Sequence, residues 1–250
     1  MKLTEIQNNK EYLSILNEYI KSKNGVYLCD LVKFSHNMCP ELKNFCSENE
    51  LSFKNKNTKD KGLLGKLIEF YIFGKLPNSS RELDLEYADI KTTNVKLLTN
   101  GFLTSKERLA LTNLGDVTKK EVLETVIKKE SIKNTKYYNK ISKSIIFVCL
   151  FDKNNKDLKY RKILGIVDYN IENLDKTLLN QIDFDFNTIK NTLLIGKPTQ
   201  SGQKFLHINR RSCGKENQTR CFSFTRKFLT ILIANGLNLQ LQKKGNSCYF

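Results

Sequence analysis

The sequence predicts a mixed α/β fold, because segments with helical and with strand periodicity alternate along one chain of 250 residues. Hydrophobic residues make up 40% of the chain and aromatic residues 10%, which argues for a packed core and against a disordered protein. The chain shows no internal repeat and no low-complexity linker. We therefore expect a single domain over residues 1–250.

The individual elements follow from periodicity, from helix-stop residues and from turn residues. Apolar residues at near-helical spacing predict an amphipathic helix over 4–23, whereas the polar stretch 24–60 predicts a loop. Further helices are predicted over 62–73, from a capping box at Thr118 to about Glu130, over 171–192 and over 226–235. Strands are predicted around 83–92, 95–99, 144–151, 160–168, 204–209 and 219–225.

The charge balance indicates a polyanionic partner. Lysine and arginine outnumber aspartate and glutamate by 42 to 26, and the formal net charge is +16. Such an excess favours nucleic acid first and an anionic membrane surface second. An AT-rich genome, which enriches lysine and asparagine, is the alternative explanation for the same excess.

The cysteines and the apolar runs indicate a reduced, cytoplasmic location. Seven cysteines are present, an odd number, and none forms a C-x-x-C pair, so we expect free thiols and no zinc site. The polar segment that begins Met1-Lys2-Leu3 lacks the apolar core of a secretory signal. The longest strongly apolar run, residues 145–151, is far too short to span a bilayer.

One short segment carries the residue types that metal-dependent phosphodiester cleavage requires. Asp84, Asp89 and Lys91 lie close together in the sequence, in a stretch that reads as β-strand. In an extended strand Asp89 and Lys91 point to the same face, with Ile90 turned to the core. Two carboxylates can hold a divalent cation that activates a water molecule, and the ammonium can contact the phosphate or orient that water.

The first acid of this segment is not fixed by periodicity. Glu82 and Glu86 share the strand parity of Asp84, so either could take its place. A surface strand with alternating charges is the alternative to a metal site.

Two further residues are candidates for the same site. Glu69 is the one acid in an otherwise apolar predicted helix, where a carboxylate is costly unless it meets a metal, a lysine or a hydrogen-bond donor. Lys143 opens the most apolar predicted strand and could reach a site at that edge of the sheet. The alternatives are a solvated Glu69 beside Lys66 and a solvated Lys143 at a strand end.

Two basic stretches are candidates for DNA contacts. Residues 128–143 contain six lysines and one acid, and residues 197–227 contain eight lysines or arginines and one acid. Basic residues mixed with amides and hydroxyls suit phosphate contacts and base-edge hydrogen bonds, arginine with guanine and asparagine with adenine. A solvated basic loop is the alternative. The candidate DNA-binding residues are Lys204, Asn209, Arg210, Arg211, Lys215, Arg220 and Arg226.

In their order along the chain, these segments resemble the MutH-like endonucleases, the family of the mismatch-repair nickase MutH and its restriction-enzyme relatives. The matching positions are the glycine-rich start of the helix at 62–65 with Glu69, then Asp84, then Asp89-Ile-Lys91-Thr92, then Lys143 before the apolar strand at 145–148. The segments 106–111, 202–211 and 220–228 also look like family segments, so the resemblance covers roughly residues 60–235. Asp89 replaces the glutamate that is usual in the family.

The resemblance implies a PD-(D/E)xK restriction-endonuclease-like fold, with a mixed sheet flanked by helices and two lobes that form a DNA cleft. It implies an N-terminal helix and loop over 1–60, a catalytic core over 61–150, and a completion of the core with a DNA-recognition lobe over 160–235. Glu69, Asp84 and Asp89 would bind Mg²⁺, while Lys91 and Lys143 would contact the phosphate or the attacking water. The gap between Asp84 and Asp89 favours Asp84 over Glu82 as the first acid.

The function that follows from the resemblance is a type II restriction endonuclease that cuts double-stranded DNA at a short specific site, with GATC as the first expectation. Such an enzyme would form a homodimer or act twice, and would be paired with a DNA methyltransferase that protects the host. The alternatives are a MutH-type nickase that depends on a mismatch-repair partner, and a DNA-binding protein without catalysis.

Overall fold

The chain forms two compact units. A computed structural model describes residues 1–56, 62–76, 82–155, 157–196, 202–210, 219–244 and 247–250. The first unit comprises Met1–Gly101 and Ile145–Val167, and the second comprises Phe102–Ser144 and Asp168–Phe250. No helix in these described ranges is long and apolar enough to cross a bilayer.

Helices and strands alternate along the chain, which confirms the predicted mixed α/β class. The helices are α1 Leu3–Asn8, α2 Lys10–Ser22, α3 Leu28–Met38, α4 Pro40–Lys56, α5 Leu63–Phe73, α6 Lys120–Ile127, α7 Tyr138–Ser142, α8 Lys176–Leu194 and α9 Arg226–Gly236. The strands are β1 Val26–Tyr27, β2 Asp89–Leu97, β3 Leu103–Ser105, β4 Leu109–Asp116, β5 Lys143–Leu150, β6 Lys162–Asn170, β7 Leu206–Arg210, β8 Thr219–Phe224, β9 Gln242–Lys244 and β10 Ser247–Tyr249.

The strands form three sheets. A mixed five-stranded sheet, flanked by helices, has the order β1-β6-β5-β2-β3. A three-stranded sheet has the order β4-β8-β7, with both pairs antiparallel. β9 and β10 form a short antiparallel pair near the C-terminus.

Aromatic packing fixes α5 in the core of the first unit. Phe73 of α5 packs edge-on against Phe147 of β5 and Tyr12 of α2, with ring centroids 6.0 and 5.9 Å apart. Tyr12 Oη also donates a hydrogen bond to Ile72 O at 3.0 Å. Side chains of this size contribute about 1.5–3 kcal/mol each when they are fully buried. The helix that carries Glu69 is therefore held rigidly at its C-terminal half.

Gly74 ends α5, as its position in the sequence predicts. Its φ of 60° lies in the left-handed region, and the N–H groups of Gly74 and Lys75 donate to Phe70 O and Glu69 O at 3.1 and 2.9 Å. A Cβ atom at this position would lie 2.6 Å from Leu3 Cδ1. Both the backbone conformation and the available space therefore require glycine.

The N-terminal segment departs from the predictions in two places. Asn9 divides the predicted helix over 4–23 into α1 and α2, because its side chain caps the second helix. The predicted loop over 24–60 is wrong, since α3 and α4 occupy most of its described part. α4 buries only a narrow apolar stripe, such as Leu42 and Cys46, so its polar majority obscures the helical period. In α3 the apolar residues Leu28, Leu31 and Val32 do recur at helical spacing, and the predicted loop overlooked them.

The second unit packs helices against one face of the β4-β8-β7 sheet. Phe222 of β8 lies against Phe186 of α8, and Phe224 lies against Phe228 of α9, with ring centroids 6.4 and 4.9 Å apart. The predicted strands near 204–209 and 219–225 are thus confirmed as β7 and β8. β4 is absent from the predicted elements, because two register shifts against β8 interrupt its alternation.

The predicted capping box at Thr118 is wrong. α6 begins after Lys119, and it ends at Ile127 rather than near Glu130. The Thr118 hydroxyl instead donates to Asp116 Oδ1 at 2.7 Å, in a turn that follows β4. A Ser or Thr side chain serves a turn as well as a helix start, so the sequence motif alone does not separate the two.

Asp185 of α8 fixes the start of β7. Its carboxylate is fully buried and accepts the N–H groups of Lys204, Phe205 and Leu206 at 3.0, 2.6 and 2.9 Å, and Nε2 of Gln181 at 2.9 Å. Hydrogen bonds to a charged acceptor are stronger than those between neutral groups. A buried carboxylate needs several of them to offset the loss of its hydration. The strand predicted to recognise DNA therefore begins from a rigid anchor.

Asp185→Ala should destabilise the second unit by about 3 kcal/mol or more, because three backbone donors lose their acceptor inside the protein. Urea unfolding followed by circular dichroism measures the change. Asp183→Ala, which removes an exposed acid from the same helix, is the matched control and should cost less than about 0.5 kcal/mol. Equal costs for the two variants would contradict the anchoring role.

Candidate active site

A tight turn brings Asp84 back to the start of β2. The predicted strand over 83–92 is wrong in its first half, because the chain bends at residues 84–87 and the Leu85 N–H donates to Ala88 O at 3.0 Å. Leu85 and Ala88 are both buried, which fixes the turn against the core of the first unit. The carboxylate of Asp84 then accepts the Ile90 N–H at 2.9 Å. The strand itself runs from Asp89 to Leu97.

Asp89 and Lys91 form an ion pair on one face of β2. The Asp89 side chain is 0% exposed, and the Lys91 side chain, two residues on, is 19% exposed. Lys91 Nζ contacts Asp89 Oδ2 directly. Because alternate residues of a strand share a face, the predicted same-side arrangement of the two groups is confirmed.

α5 brings Glu69 towards this part of β2. A Cβ atom on Gly65 would lie 3.6 Å from Thr92 Oγ1, the residue after Lys91, and 4.0 Å from Glu69 Oε1. The absent side chain at Gly65 thus allows the helix to approach the strand closely. Glu69 is half-buried and one turn further along the same face of the helix.

The three acids act on one another electrostatically. Burial, a hydrogen bond to Asp89 and the charges of Asp89 and Glu69 together raise the pKa of the Asp84 carboxyl to about 7, and burial is the largest of these causes. The Ile90 N–H lowers this pKa but does not outweigh the other causes. The ionised form of Asp84 is therefore costly unless a cation joins the three carboxylates.

Glu82, Glu86 and Lys143, the other residues considered for this site, are exposed. Asp84, by contrast, is half-buried and interacts with Asp89 and with the charge of Glu69. The role of Asp84 as the first acid stays a prediction. Lys143 is the first residue of β5, belongs to the second unit and is exposed. Its catalytic role stays a prediction.

The carboxylates fit a Mg²⁺ ion that shares its coordination with a substrate. Mg²⁺ is usually bound by one or two carboxylates and completes its octahedron with waters and phosphate oxygens. Asp84 and Asp89 supply two such groups. In the part of the chain that the structure describes, no three His, Cys, Asp or Glu side chains form a metal cage by themselves. Direct ligation by Glu69 stays a prediction.

Comparison with known proteins adds no assignment at this point. No protein-family model matches the chain, and no curated protein matches it either. The geometry of Asp84, Asp89, Lys91 and Glu69 is thus the observation on which a functional proposal has to rest.

The predicted DNA-binding residues belong to the second unit. Lys204 precedes β7, Asn209 and Arg210 end it, and Arg220 and Arg226 lie on β8 and at the start of α9. Lys204, Arg210 and Arg226 are exposed and Asn209 is half-buried. Two other predicted DNA-binding residues, Arg211 and Lys215, lie outside the described residues.

Arg210 and Arg220 face each other across β7 and β8. They are register partners, and Arg220 is only 4% exposed. Burial and the nearby charge of Arg210 lower the pKa of Arg220, whereas Asp116 acts in the opposite direction. Arg210 is therefore the accessible cation of this pair, and the buried Arg220 lies between its charge and that of Asp116.

Asp185 and Ser223 make hydrogen bonds to β7 or to the residues just before it, and the sequence around each indicates which face its side chain occupies. Asp185 lies at a helical position between Ile182 and Phe186 on an apolar face, the same pattern that singles out Glu69. Ser223 lies between Phe222 and Phe224 and so points to the face opposite these aromatic side chains. Neither residue is among the predicted site residues.

Asp84→Asn should leave the metal-free protein at least as stable as the wild type. The amide removes a charge that burial and two acids disfavour, and it keeps an acceptor for the Ile90 N–H. The variant should lose most of the stabilisation by Mg²⁺, which amounts to about 2.7 kcal/mol for the wild type at 100 times Kd. Thermal unfolding in EDTA and at rising Mg²⁺ concentrations measures both effects.

The matched control is Glu86→Gln, which neutralises an exposed acid of the same segment and should keep the response to Mg²⁺. A wild-type response to Mg²⁺ in Asp84→Asn would remove Asp84 from the set of ligands.

Proposed function

We propose that this protein is a Mg²⁺-dependent endonuclease that hydrolyses phosphodiester bonds in double-stranded DNA at a short specific site. The observation that carries the proposal is the cluster in the first unit, where Asp84, Asp89 and Lys91 meet beside Glu69. The proposal includes a PD-(D/E)xK fold of the MutH-like family and a role as a type II restriction endonuclease, with GATC as the first candidate site.

The residues of the cluster have distinct roles in this proposal. Asp84 and Asp89 would hold Mg²⁺, which when bound activates a water molecule and stabilises the charge on the phosphate. The ammonium of Lys91, which Asp89 holds in place, would donate to a phosphate oxygen or to the attacking water. Glu69 would add negative charge, or a third ligand, from the helix side.

The basic charge of the chain supports DNA as the substrate. The chain carries a formal net charge of +16, and in the second unit Arg210 and Arg220 form a cross-strand pair of cations. Phosphate contacts of this kind supply affinity without sequence selectivity, which has to come from hydrogen bonds to base edges. One catalytic cluster per chain has to cut two strands, so the enzyme would act as a homodimer or in two successive events. A cognate DNA methyltransferase would protect the host.

Incubation of the purified protein with supercoiled plasmid and Mg²⁺ tests this function. A restriction endonuclease gives linear fragments with defined ends. Nicked circles would instead indicate a strand-nicking enzyme of the MutH type. DNA binding without any cleavage would contradict the catalytic proposal.

Asp89→Ala and Lys91→Ala should each reduce the rate of plasmid cleavage by about 10²–10³-fold or more, because each removes a charge that acts at the reacting phosphate. DNA binding in Ca²⁺ should persist in both variants, since the basic residues of the second unit are unchanged. Gel-based cleavage rates and fluorescence-anisotropy titrations measure the two properties.

Glu82→Gln is the control for loss of an acid in this segment, because Glu82 is exposed, and it should cleave at the wild-type rate. Full activity of both Asp89→Ala and Lys91→Ala would refute the assignment of the active site.

A further inference from the structure

The β7-β8 pair of the second unit has one apolar and one polar face. Ile208, Phe222 and Phe224 are almost completely buried on the apolar face. The intervening residues point the other way, and they are register partners, His207 with Ser223 and Asn209 with Cys221. Such residues lie side by side on a sheet, so the second face carries a small polar cluster in which His207, Ser223 and Cys221 are buried and Asn209 is partly exposed.

The exposed positions of this face lie on β4 and at the end of β7. Ala110 and Asn113 of β4 are the register partners of Ser223 and Cys221, and both are exposed. Asn209 itself is half-buried, at the point where β7 passes from buried residues to the exposed Arg210. A ligand at the end of β7 would therefore meet the Asn209 amide and not the buried side chains of Ser223 and Cys221.

Hydrogen bonds fix the orientation of the Asn209 amide. Its Nδ2 donates to Arg210 O at 3.1 Å, and because a carbonyl oxygen can only accept, the nitrogen must be the atom on that side. Its Oδ1 accepts the hydroxyl of Ser223, which also lies 3.6 Å from Cys221 Sγ. Ser223 is fully buried, so its hydroxyl has a fixed position from which to hold the amide.

The amide keeps one donor and one acceptor for a ligand. An asparagine side chain has two N–H donors and two acceptor lone pairs, and the two internal bonds use one of each. The remaining pair matches adenine in the major groove of DNA, where N6–H donates and N7 accepts. Arginine and lysine cannot make this contact, because they have no acceptor.

The neighbouring histidine adds no charge to this face. His207 is 4% exposed, and burial, with a smaller effect of Arg108, lowers its pKa to about 4. The imidazole is therefore neutral at physiological pH. Recognition on this face would depend on hydrogen bonds rather than on phosphate attraction, in contrast to the pair Arg210 and Arg220.

We infer that Ser223 is a positioning residue that holds the Asn209 amide in the orientation that reads an adenine base. The inference rests on the proposed function in one respect, that the second unit binds DNA, but it does not depend on catalysis. It predicts that the target site contains an A·T pair whose recognition is lost when the Ser223 hydroxyl is removed.

Binding selection from a randomised DNA duplex library, carried out in Ca²⁺ at fixed salt, tests the inference. The selected site is then compared with the same duplex carrying G·C in place of each A·T pair. The wild type should prefer A·T at one position, and Ser223→Ala should lose about tenfold of that preference, the amount typical of one bidentate base contact. Ser223→Thr keeps the hydroxyl and should keep most of the preference.

A double-mutant cycle separates positioning from general damage. Asn209→Ala should lose the same preference, and in that background Ser223→Ala should cause no further loss, because the two residues act as one unit. Ser105→Ala, which removes a buried hydroxyl from the same unit, should leave the preference unchanged. If Ser223→Ala does not fold, Ser223→Cys, with its weaker donor, should show a reduced preference in its place.

The outcomes decide between the inference and the proposed function. An unchanged preference in Ser223→Ala or Ser223→Cys overturns the inference, as does a wild type that selects no A·T pair. A wild type that selects a site in Ca²⁺ but does not cut it in Mg²⁺ contradicts catalysis and leaves the inference intact.

Discussion

The candidate site depends on how the first unit accommodates neighbouring negative charges at the start of β2. Asp89 is fully buried, and the turn anchored by Leu85 and Ala88 brings Asp84 against it. The Ile90 N–H and the Lys91 ammonium offset part of the repulsion between these carboxylates. A protein keeps such an arrangement only where the surrounding structure holds it, and groups with perturbed pKa values of this kind are typical of functional sites. A divalent cation would relieve the repulsion directly.

In the second unit, polar side chains are placed on one face of a sheet whose other face packs into the hydrophobic core. Phe222 and Phe224 fix one face of β8, and alternation then places Ser223 on the other. Asp185 fixes the start of β7 through hydrogen bonds from three backbone N–H groups, at residues 204–206. This anchor sets the position of the strand, and with it that of Asn209, three residues beyond the anchored segment. A helix anchor and a strand register together place a side chain more precisely than a loop does.

The sequence predicts the elements whose hydrophobic period is strong and misses those whose period is hidden. α5, β5, β7 and α9 follow from apolar runs and stop residues, and the pairing of Asp89 with Lys91 follows from alternation. The turn at Asp84 is not predictable in this way, because Leu85 and Ala88 are buried by tertiary contacts while their spacing fits a strand equally well. α4 is missed since its buried stripe is narrow. Ser223 is missed because its position between two phenylalanines gives its face of the strand but not its partner Asn209, which lies on another strand.

Binding of one divalent cation by both Asp84 and Asp89 is tested by an anomalous-difference map from crystals of the wild-type protein grown with a DNA duplex and with Mn²⁺ in place of Mg²⁺. We expect a peak that is coordinated by carboxylate oxygens of both Asp84 and Asp89, with a phosphate oxygen among its other ligands. An ion bound elsewhere on the chain, with Asp84 and Asp89 free of metal while the protein cuts DNA, would contradict it.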